Sequence, residues 1–216
     1  MSPSYIDHLV ITSPTLEAGV KFVSQALGVT LQSGGEHQRM GTHNSLLKLG
    51  ESLYLEVIAP NPNAPKPERP RWFELDDLQP DMPPKLATWV ARTTDIHASL
   101  AASIETLGNI EAMSRGDLNW LITIPSDGGL LFNGIAPALI EWQGQTHPAA
   151  KLQDMGCSLI RLEAFHPQAS RIQALLESIS FQGEVYISSI PPEDKPYLAA
   201  YINTPSGVKK LSAPNH

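Results

Sequence analysis

The sequence predicts an α+β fold assembled from two βαβββ modules, with an additional C-terminal element of βαββ type. Three observations predict this fold class. The order strand, helix, strand, strand, strand occurs over residues 5–58 and again over residues 86–142. A proline-dense segment separates the two repeats, and a third helix with strand-like neighbours follows within residues 157–211. A repeated unit of this size indicates a fold built from paired modules.

The first module is predicted to occupy residues 1–60. Residues 5–12 are rich in β-branched and aromatic residues, which favours a buried strand. Residues 15–27 carry apolar side chains at helical spacing, and Gly28 follows as a stop signal. Three further strands are predicted downstream, over residues 29–33, 42–49 and 53–58.

The segment between the repeats, residues 61–85, is predicted to be a linker or a lid. Residues 60–84 contain eight prolines, a density that prevents regular helix or strand. The segment is also too long for a simple hairpin connection. Its two aromatic residues, Trp72 and Phe73, either pack the segment against the body of the protein or cover a bound ligand.

The second module is predicted over residues 86–145. Residues 86–93 read as a strand, and apolar residues at helical spacing predict a helix from Ile96 to Leu107. Strands are then predicted over residues 109–113, 119–124 and 137–142. The order of elements therefore repeats that of the first module, although few residues are identical between the two.

A third element is predicted over residues 146–216. Residues 157–165 are strand-like, and apolar spacing predicts a helix over residues 168–179. Further strands are predicted over residues 184–188, 198–202 and 208–211. We expect this element to pack on the paired modules, at a position that the sequence does not define.

Composition and charge exclude several classes of protein. The 216 residues carry a net charge of −7 and no run of five Lys or Arg residues, which argues against nucleic-acid binding. No apolar stretch approaches the ~20 residues of a transmembrane helix, so no membrane association is expected. A lone cysteine, Cys157, favours a reducing compartment. We therefore predict a cytoplasmic protein whose partner is a small molecule.

Several short stretches, taken in order, resemble one family of proteins. They are Ile6-Asp7-His8-Leu9-Val10, Met40-Gly-Thr-His-Asn44, Leu53-Tyr-Leu-Glu-Val-Ile-Ala-Pro60, Met113-Ser-Arg-Gly-Asp117 and Ala138-Leu-Ile-Glu-Trp142. Together they resemble the glyoxalase-like domain proteins of the vicinal-oxygen-chelate superfamily, which includes glyoxalase I and the extradiol dioxygenases. The resemblance covers about residues 5–180. It implies that the modules pair as a half-open barrel around a cleft, which in many members holds a divalent metal ion.

The resemblance also implies positions for the metal ligands. They fall at His8 and Glu56 in the first module and at Trp89 and Glu141 in the second. An indole cannot ligate a metal through its N–H, so the expected ligands are His8, Glu56 and Glu141. Of two carboxylates in one cleft, one could also act as general base, a role expected of Glu141. Alternatively, Trp89 fills the site and leaves a metal-free pocket, with each glutamate facing solvent on the outer side of the sheet.

Other side chains are candidates for contact with a substrate. His43 is expected to be an acid or base in the cleft, unless it is a turn histidine bonded to backbone. Asn44 is a candidate polar clamp, and Arg115 suits a substrate carboxylate, unless it is a solvated loop arginine. Aromatic stacking is expected from Trp89 and Trp120. The remaining histidines, including His37 and His147, are expected on the surface or in loops.

The leading prediction is an enzyme of this superfamily that acts on a small oxygenated organic substrate. A divalent metal of unknown identity would stabilise an enolate-like intermediate as a Lewis acid. The rival prediction is a metal-free protein that sequesters a small aromatic or hydrophobic compound on its tryptophans. A purely structural module is a third possibility, and either a monomer or a homodimer is compatible with two modules in one chain.

Overall fold

The computed structural model describes residues 2–144 and 146–212. The first module contains β1 (Tyr5–Thr12), α1 (Leu16–Leu27), β2 (Gln32–His37), β3 (Thr42–Gly50) and β4 (Leu53–Pro60). The second contains β5 (Lys85–Arg92), α2 (Ile96–Ala102), β6 (Asn109–Arg115), β7 (Leu118–Ile124) and β8 (Ala138–Trp142). Then follow β9 (Ser158–Phe165), α3 (Ala169–Ser178), β10 (Val185–Ser188), β11 (Tyr197–Thr204) and β12 (Gly207–Ser212). Short 3-10 segments lie at Gln38–Met40, Trp72–Asp77, Leu131–Gly134 and Pro148–Lys151.

The two modules share one eight-stranded sheet, with the strand order β2-β3-β4-β1-β5-β8-β7-β6. At its centre β1 and β5 are antiparallel neighbours, whereas β1 runs parallel to β4 and β5 runs parallel to β8. The sheet curls until its two edge strands, β2 and β6, approach each other. The α+β class and the paired βαβββ modules of a half-open barrel are therefore confirmed.

Side chains alternate along the central strands and so give the sheet two different faces. On the convex face, Leu9 and Trp89 join the apolar core that also includes residues of the helices, and both are fully buried. On the concave face, Val10 and Val90 belong to a second apolar cluster. Both faces of β1 and β5 are covered, so side chains pointing in either direction are buried. This explains why the sequences of these two strands are nearly continuous apolar runs.

The helix α1 packs closely on the convex face. It begins after Thr15, whose hydroxyl accepts a hydrogen bond from the Ala18 amide at 3.2 Å, and it ends at Gly28 in the left-handed conformation. A Cβ at Gly19 would lie 2.5 Å from Val57 of β4. Glycine at this position therefore sets how near the helix can lie to the sheet.

The helix α2 is shorter than the apolar spacing predicts. It ends at Ala102 rather than near Leu107. The Ser103 hydroxyl accepts a hydrogen bond from the Glu105 amide and donates one to the Glu105 carbonyl, which offers the backbone a turn in place of the next helical turn. Leu107 is nevertheless buried in the core, but Ile104 is exposed, so the apolar spacing predicted burial only in part and predicted the helix length incorrectly.

The third element forms a separate four-stranded sheet with the order β10-β9-β11-β12. Its elements run strand, helix, strand, strand, strand, but the strand order differs from that of either module, where the first strand lies beside the fourth. Its inner face, including Leu162, Ala200 and Ile202, belongs to the same core as the convex face of the large sheet. The ring of Phe181 meets that of Trp89 edge to face at 5.1 Å.

The proline-rich segment crosses the concave face of the large sheet. Trp72 and Phe73 are buried there against the apolar cluster of that face. The segment is attached through Glu74, whose amide donates to the Gly128 carbonyl at 3.0 Å and whose carboxylate accepts from the Leu130 amide at 3.3 Å. Within the described residues, no helix has both the length and the apolar character needed to cross a membrane.

Candidate active site in the concave cleft

The concave cleft encloses a small cavity to which both modules contribute polar and aromatic side chains. His8, Glu56 and Arg115 supply its charged or titratable groups, and aromatic rings such as Trp120 and Trp142 line the rest. The space open to the centre of a water molecule is about 20 Å³, which is enough for one or two waters. A larger ligand must therefore displace part of the lining.

A β-bulge in β1 brings two consecutive side chains to this site. Ile6 pairs with Ala91 and His8 pairs with Val90, so Asp7 has no partner on β5. Neighbouring residues of a regular strand point to opposite faces, whereas a bulge re-aims one of them. As a result Asp7 and His8 meet, with 2.6 Å between Asp7 Oδ1 and His8 Nδ1.

Asp7 is a completely buried carboxylate held by three donors. Its Oδ1 accepts from His8 Nδ1, and its Oδ2 accepts from Trp142 Nε1 and His147 Nε2, both at 2.9 Å. Burial alone would raise the pKa of Asp7, but the hydrogen bonds from His147 and His8, with the charges of these imidazoles, hold that pKa well below its ordinary value. Asp7 is therefore an anion whose lone pairs are satisfied.

The bond to Asp7 defines what His8 presents to the cavity. Because the carboxylate can only accept, His8 Nδ1 carries a proton, and Nε2 is the atom turned toward Glu56, with 3.6 Å to Oε2. The imidazole is also stacked on the ring of Tyr54, with 4.6 Å between centroids and 16° between planes. These contacts hold the orientation of the ring from two sides.

Glu56 is positioned by a neighbour on β3. Its Oε1 accepts from Asn44 Nδ2 at 2.5 Å, and Asn44 Oδ1 accepts from the Gly35 amide at 2.8 Å. A Cβ at Gly34 would lie 2.0 Å from Asn44 Oδ1, so only glycine leaves room for this amide. One oxygen of Glu56 is thus engaged, and the other faces His8.

His37 and Arg115 form the opposite wall of the cavity. Arg115 donates to His37 Nε2 at 3.3 Å, and His37 Nδ1 therefore donates to Thr42 Oγ1 at 3.0 Å. Burial and the adjacent guanidinium lower the pKa of His37 to about 3, so the ring is neutral. Among the described residues, the Arg115 side chain donates to His37 Nε2. Its remaining N–H groups can therefore bind water or a ligand.

The structure brings together part of the predicted site. Trp120 lines the cavity with His8, Glu56 and Arg115, and Asn44 holds Glu56 from behind. Trp72 and Phe73 also line the cavity, so the proline-rich segment covers the cleft as well as packing on the body.

Trp89 lies elsewhere, and its predicted place beside His8 needs correction. Trp89 pairs with Leu9, so both point to the convex face, and its indole donates to the Ile135 carbonyl at 2.9 Å. The residue is completely buried in the convex core. It neither stacks on a cleft ligand nor fills the cleft, because strand alternation turns it away.

Glu141 and His43 are also turned away from the cleft. Glu141 lies between the cleft-facing residues Ile140 and Trp142, and its carboxylate accepts from the Ile96 amide at 2.7 Å, at the start of α2. His43 precedes the cleft-side Asn44 on β3 and bonds the backbone of Pro60, and burial lowers its pKa. The expectation that these two residues share a site with His8 is therefore wrong, because side chains alternate between the two faces of a strand.

The side chains of the cleft do not fit a complete metal site. The strand register matches Val10 with Glu56 in the first module and Val90 with Ala138 in the second. Thr88 lies two residues before Val90, just as His8 lies two residues before Val10, so Thr88 occupies the position equivalent to His8. The second module thus offers no ligand comparable to His8 or Glu56, and among the described residues no group of three potential His, Cys, Asp or Glu ligands converges.

The arrangement at Glu141 gives a direct test of its role. We expect Glu141→Ala to lower the free energy of unfolding by about 1 kcal/mol, because the first turn of α2 loses a charged acceptor. Ligand binding in the cleft should be unchanged. Urea denaturation measures the first effect, and Glu177→Ala on the exposed face of α3 is the control. If Glu141→Ala weakens ligand binding without lowering stability, Glu141 contributes to the binding site after all.

Asp7, His37 and His147 belong to the site but are not among the residues predicted for it, whereas Trp142 was expected there only as a stacking surface for a sequestered compound. His37 and His147 were expected on the surface or in loops. This is wrong for His37, which is buried at the end of β2 against the cavity. His147 does lie in a loop, but its side chain bonds Asp7. An Asp-His pair inside an apolar strand was the one available signal, because a regular strand would bury one of these side chains in the core without a partner.

Comparisons with known proteins agree with this architecture. Residues 6–180 match the family described as glyoxalase-like domain. A hypothetical protein from Staphylococcus aureus has a similar structure, with a TM-score of 0.59 and 14% identity over 87% of this chain and 86% of that chain. No curated protein matches the sequence.

Weaker structural matches include methylmalonyl-CoA epimerases. One is a variant from Streptomyces coelicolor in complex with 2-nitronate-propionyl-CoA, with a TM-score of 0.44 and 17% identity over 64% of this chain and 97% of that chain. Another, from Mycobacterium tuberculosis, has a TM-score of 0.40 and 14% identity over 63% and 85%. With a family match over most of its length and the paired-module fold, the chain belongs to the glyoxalase-like domain family of the vicinal-oxygen-chelate superfamily.

Proposed function

We propose that the protein is an enzyme that moves a proton on a carbon next to a carbonyl group of a small oxygenated substrate. The observation that carries the proposal is the buried Asp7–His8 pair, in which the carboxylate holds Nδ1 and leaves Nε2 facing the cavity. A carboxylate that fixes the tautomer and orientation of a histidine in this way prepares it as a general base.

Each group of the cavity has a role in this scheme. His8 Nε2 removes the proton, the C–H bond breaks, and its electron pair moves onto the carbonyl oxygen as an enolate. Arg115 has N–H groups free to bind that oxygen or a neighbouring carboxylate. The imidazolium lies between Asp7 and the Oε2 of Glu56, both of which stabilise its charge. Return of the proton from His8 completes the step without net oxidation or reduction.

The residues of the site support this chemistry without assigning a metal. His8 and Glu56 are two donors where the metal hypothesis required three, and one oxygen of Glu56 is taken by Asn44. The metal role predicted for Glu141 has no support in its position, since its carboxylate binds the start of α2. The scheme therefore routes no step through a metal. The cytoplasmic location and the monomeric or dimeric state stay predictions.

Proton exchange tests the proposal without knowledge of the natural substrate. Small 2-oxo acids offer a carbonyl, exchangeable protons at C3 and a carboxylate for Arg115. We expect the protein to accelerate the exchange of these protons of 2-oxobutanoate in D₂O, and His8→Gln to reduce the rate by about 10²–10⁴-fold. Proton NMR measures the rate, and EDTA should leave it unchanged.

The control for this experiment is His97→Gln, because His97 is an exposed histidine on α2. It should exchange at the wild-type rate. Equal rates for wild type and His8→Gln would refute the assignment of His8, and loss of exchange on adding EDTA would show that a metal takes part. Circular dichroism of each variant confirms that the fold is retained.

The aromatic lining favours a second candidate, a protein that binds and sequesters a small molecule. Tyr54, Trp72, Trp120 and Trp142 all line the same cavity and offer ring surface to an aromatic ligand. A binding protein of this kind would not need the Asp7–His8 pair. Tight binding of 2-oxo acids, with no exchange above the uncatalysed rate in any of them, would favour this candidate.

A further inference from the structure

The described residues enclose a second cavity in the concave cleft, and the inference drawn from the two cavities rests on the proposed function. The first is the polar cavity of His8 and Arg115. The second lies in the second module and also has about 20 Å³ open to the centre of a water molecule. Trp72 and Phe73 line both. We propose that the substrate is amphiphilic, with its carbonyl and carboxylate in the first cavity and an apolar substituent in the second.

The second cavity is suited to a hydrocarbon group. Ile124, Leu130 and Ala138 contribute apolar surface to its wall. Thr123 also lines it, but its hydroxyl accepts a hydrogen bond from the Leu139 amide at 2.9 Å. Thr88 also lines the second cavity, at the position equivalent to His8 of the first module, so the second cavity has no imidazole at this position. The cleft thus has a polar cavity, lined by residues of both modules, and an apolar cavity lined by the second module and the proline-rich segment.

Trp72, which lines both cavities, has an unpaired donor that a ligand oxygen would satisfy. Trp72 is 3% exposed, and its Nε1–H is buried without a hydrogen-bond partner among the described residues. A buried donor left without an acceptor is unfavourable. A substrate that spans both cavities contacts Trp72, and one of its oxygens could accept from this N–H.

The wall between the cavities has features that suit displacement. Phe73 and Glu74 both have left-handed backbone, with φ of 59° and 56°, a conformation that is costly for residues other than glycine. The segment is attached to the second module by the two hydrogen bonds of Glu74 and, further upstream, by Arg69, which donates to the Pro125 carbonyl at 3.0 Å and pairs with Glu111 at 2.8 Å. Since neither cavity can hold more than a water or two as it stands, a bound chain must move this wall and join them.

Chain length of the ligand tests the inference. The probes are 2-oxobutanoate, 2-oxohexanoate and 2-oxooctanoate, and isothermal titration calorimetry measures their dissociation constants. We expect the affinity of the wild-type protein to rise by about fourfold for each added methylene until the second cavity is filled. Ala138→Leu, which fills that cavity, should remove this dependence.

Matched variants separate this inference from the proposed function. Ala112→Leu adds the same side chain at an exposed position on β6 and should behave as wild type. Arg115→Gln should weaken all three probes. If Arg115→Gln weakens binding but chain length has no effect, or if Ala138→Leu keeps the chain-length dependence, the apolar compartment is refuted and the proposed function stands. If no probe binds to the wild-type protein, both are overturned.

Discussion

Replacement of Asp7 by alanine is expected to lower the free energy of unfolding by about 3–5 kcal/mol, the range seen when one partner of a buried charged network is removed. Asp7 is completely buried and accepts hydrogen bonds from His8, His147 and Trp142. Without it, three buried N–H groups lose their acceptor at once. Urea denaturation of wild type and variant, compared through both midpoint and slope, measures the loss.

The conservative variant Asp7→Asn separates stability from chemistry. Asparagine preserves the shape, but its NH₂ group would face a donor, and the tautomer of His8 is no longer held by a carboxylate. We expect the proton-exchange rate to fall by about 10⁴-fold, the order seen when such a carboxylate becomes an amide elsewhere. The exposed Asp117→Asn is the control. A variant with wild-type stability and exchange would show that the buried network does not hold His8.

The second large effect is a loss of stability in acid, caused by His37. Burial, reinforced by the charge of Arg115, lowers the pKa of His37 from 6.5 to about 3 in the folded protein. Between these values the unfolded chain binds a proton that the native protein excludes. Stability is therefore full above pH 6.5 and falls as the pH is lowered toward 3, with a slope approaching about 1.4 kcal/mol per pH unit from this group.

The slope, rather than the absolute stability, identifies His37. The free energy of unfolding of wild type, His37→Gln and His97→Gln should be measured by urea denaturation from pH 4 to pH 7. His37→Gln is expected to reduce the slope of unfolding free energy against pH by most of the contribution of one proton. The exposed His97→Gln should leave this slope as in wild type. Asp7 has a lowered pKa as well, but its contribution is lost only below its ordinary range, under about pH 4. Parallel curves for all three proteins would contradict the role assigned to His37.

The sequence by itself determined the architecture. Alternating and continuous apolar runs reported strands, helical spacing reported α1 and α3, and the proline density marked residues 61–84 as irregular. These signals are local, because a strand or helix must bury one face and its pattern of side chains records that face. The helix α2 and the strand β2 are the exceptions. The competing turn at Ser103 depends on one hydroxyl rather than on apolar spacing. The strand β2 lies at Gln32–His37, which has no apolar run, rather than at the predicted residues 29–33.

Tertiary structure decided which residues share the cleft. An error of an odd number of positions along a strand turns a side chain to the other face. The error is one position for Trp89 and three for Glu141, so these residues face away from the cleft, whereas Thr88 and Ala138 line it. The bulge at Asp7 interrupts this alternation, so the consecutive side chains of Asp7 and His8 meet. Convergence of His147 from beyond β8 depends on how distant segments pack. The fold follows from local patterns, whereas the site depends on strand register and on contacts between residues far apart in the chain.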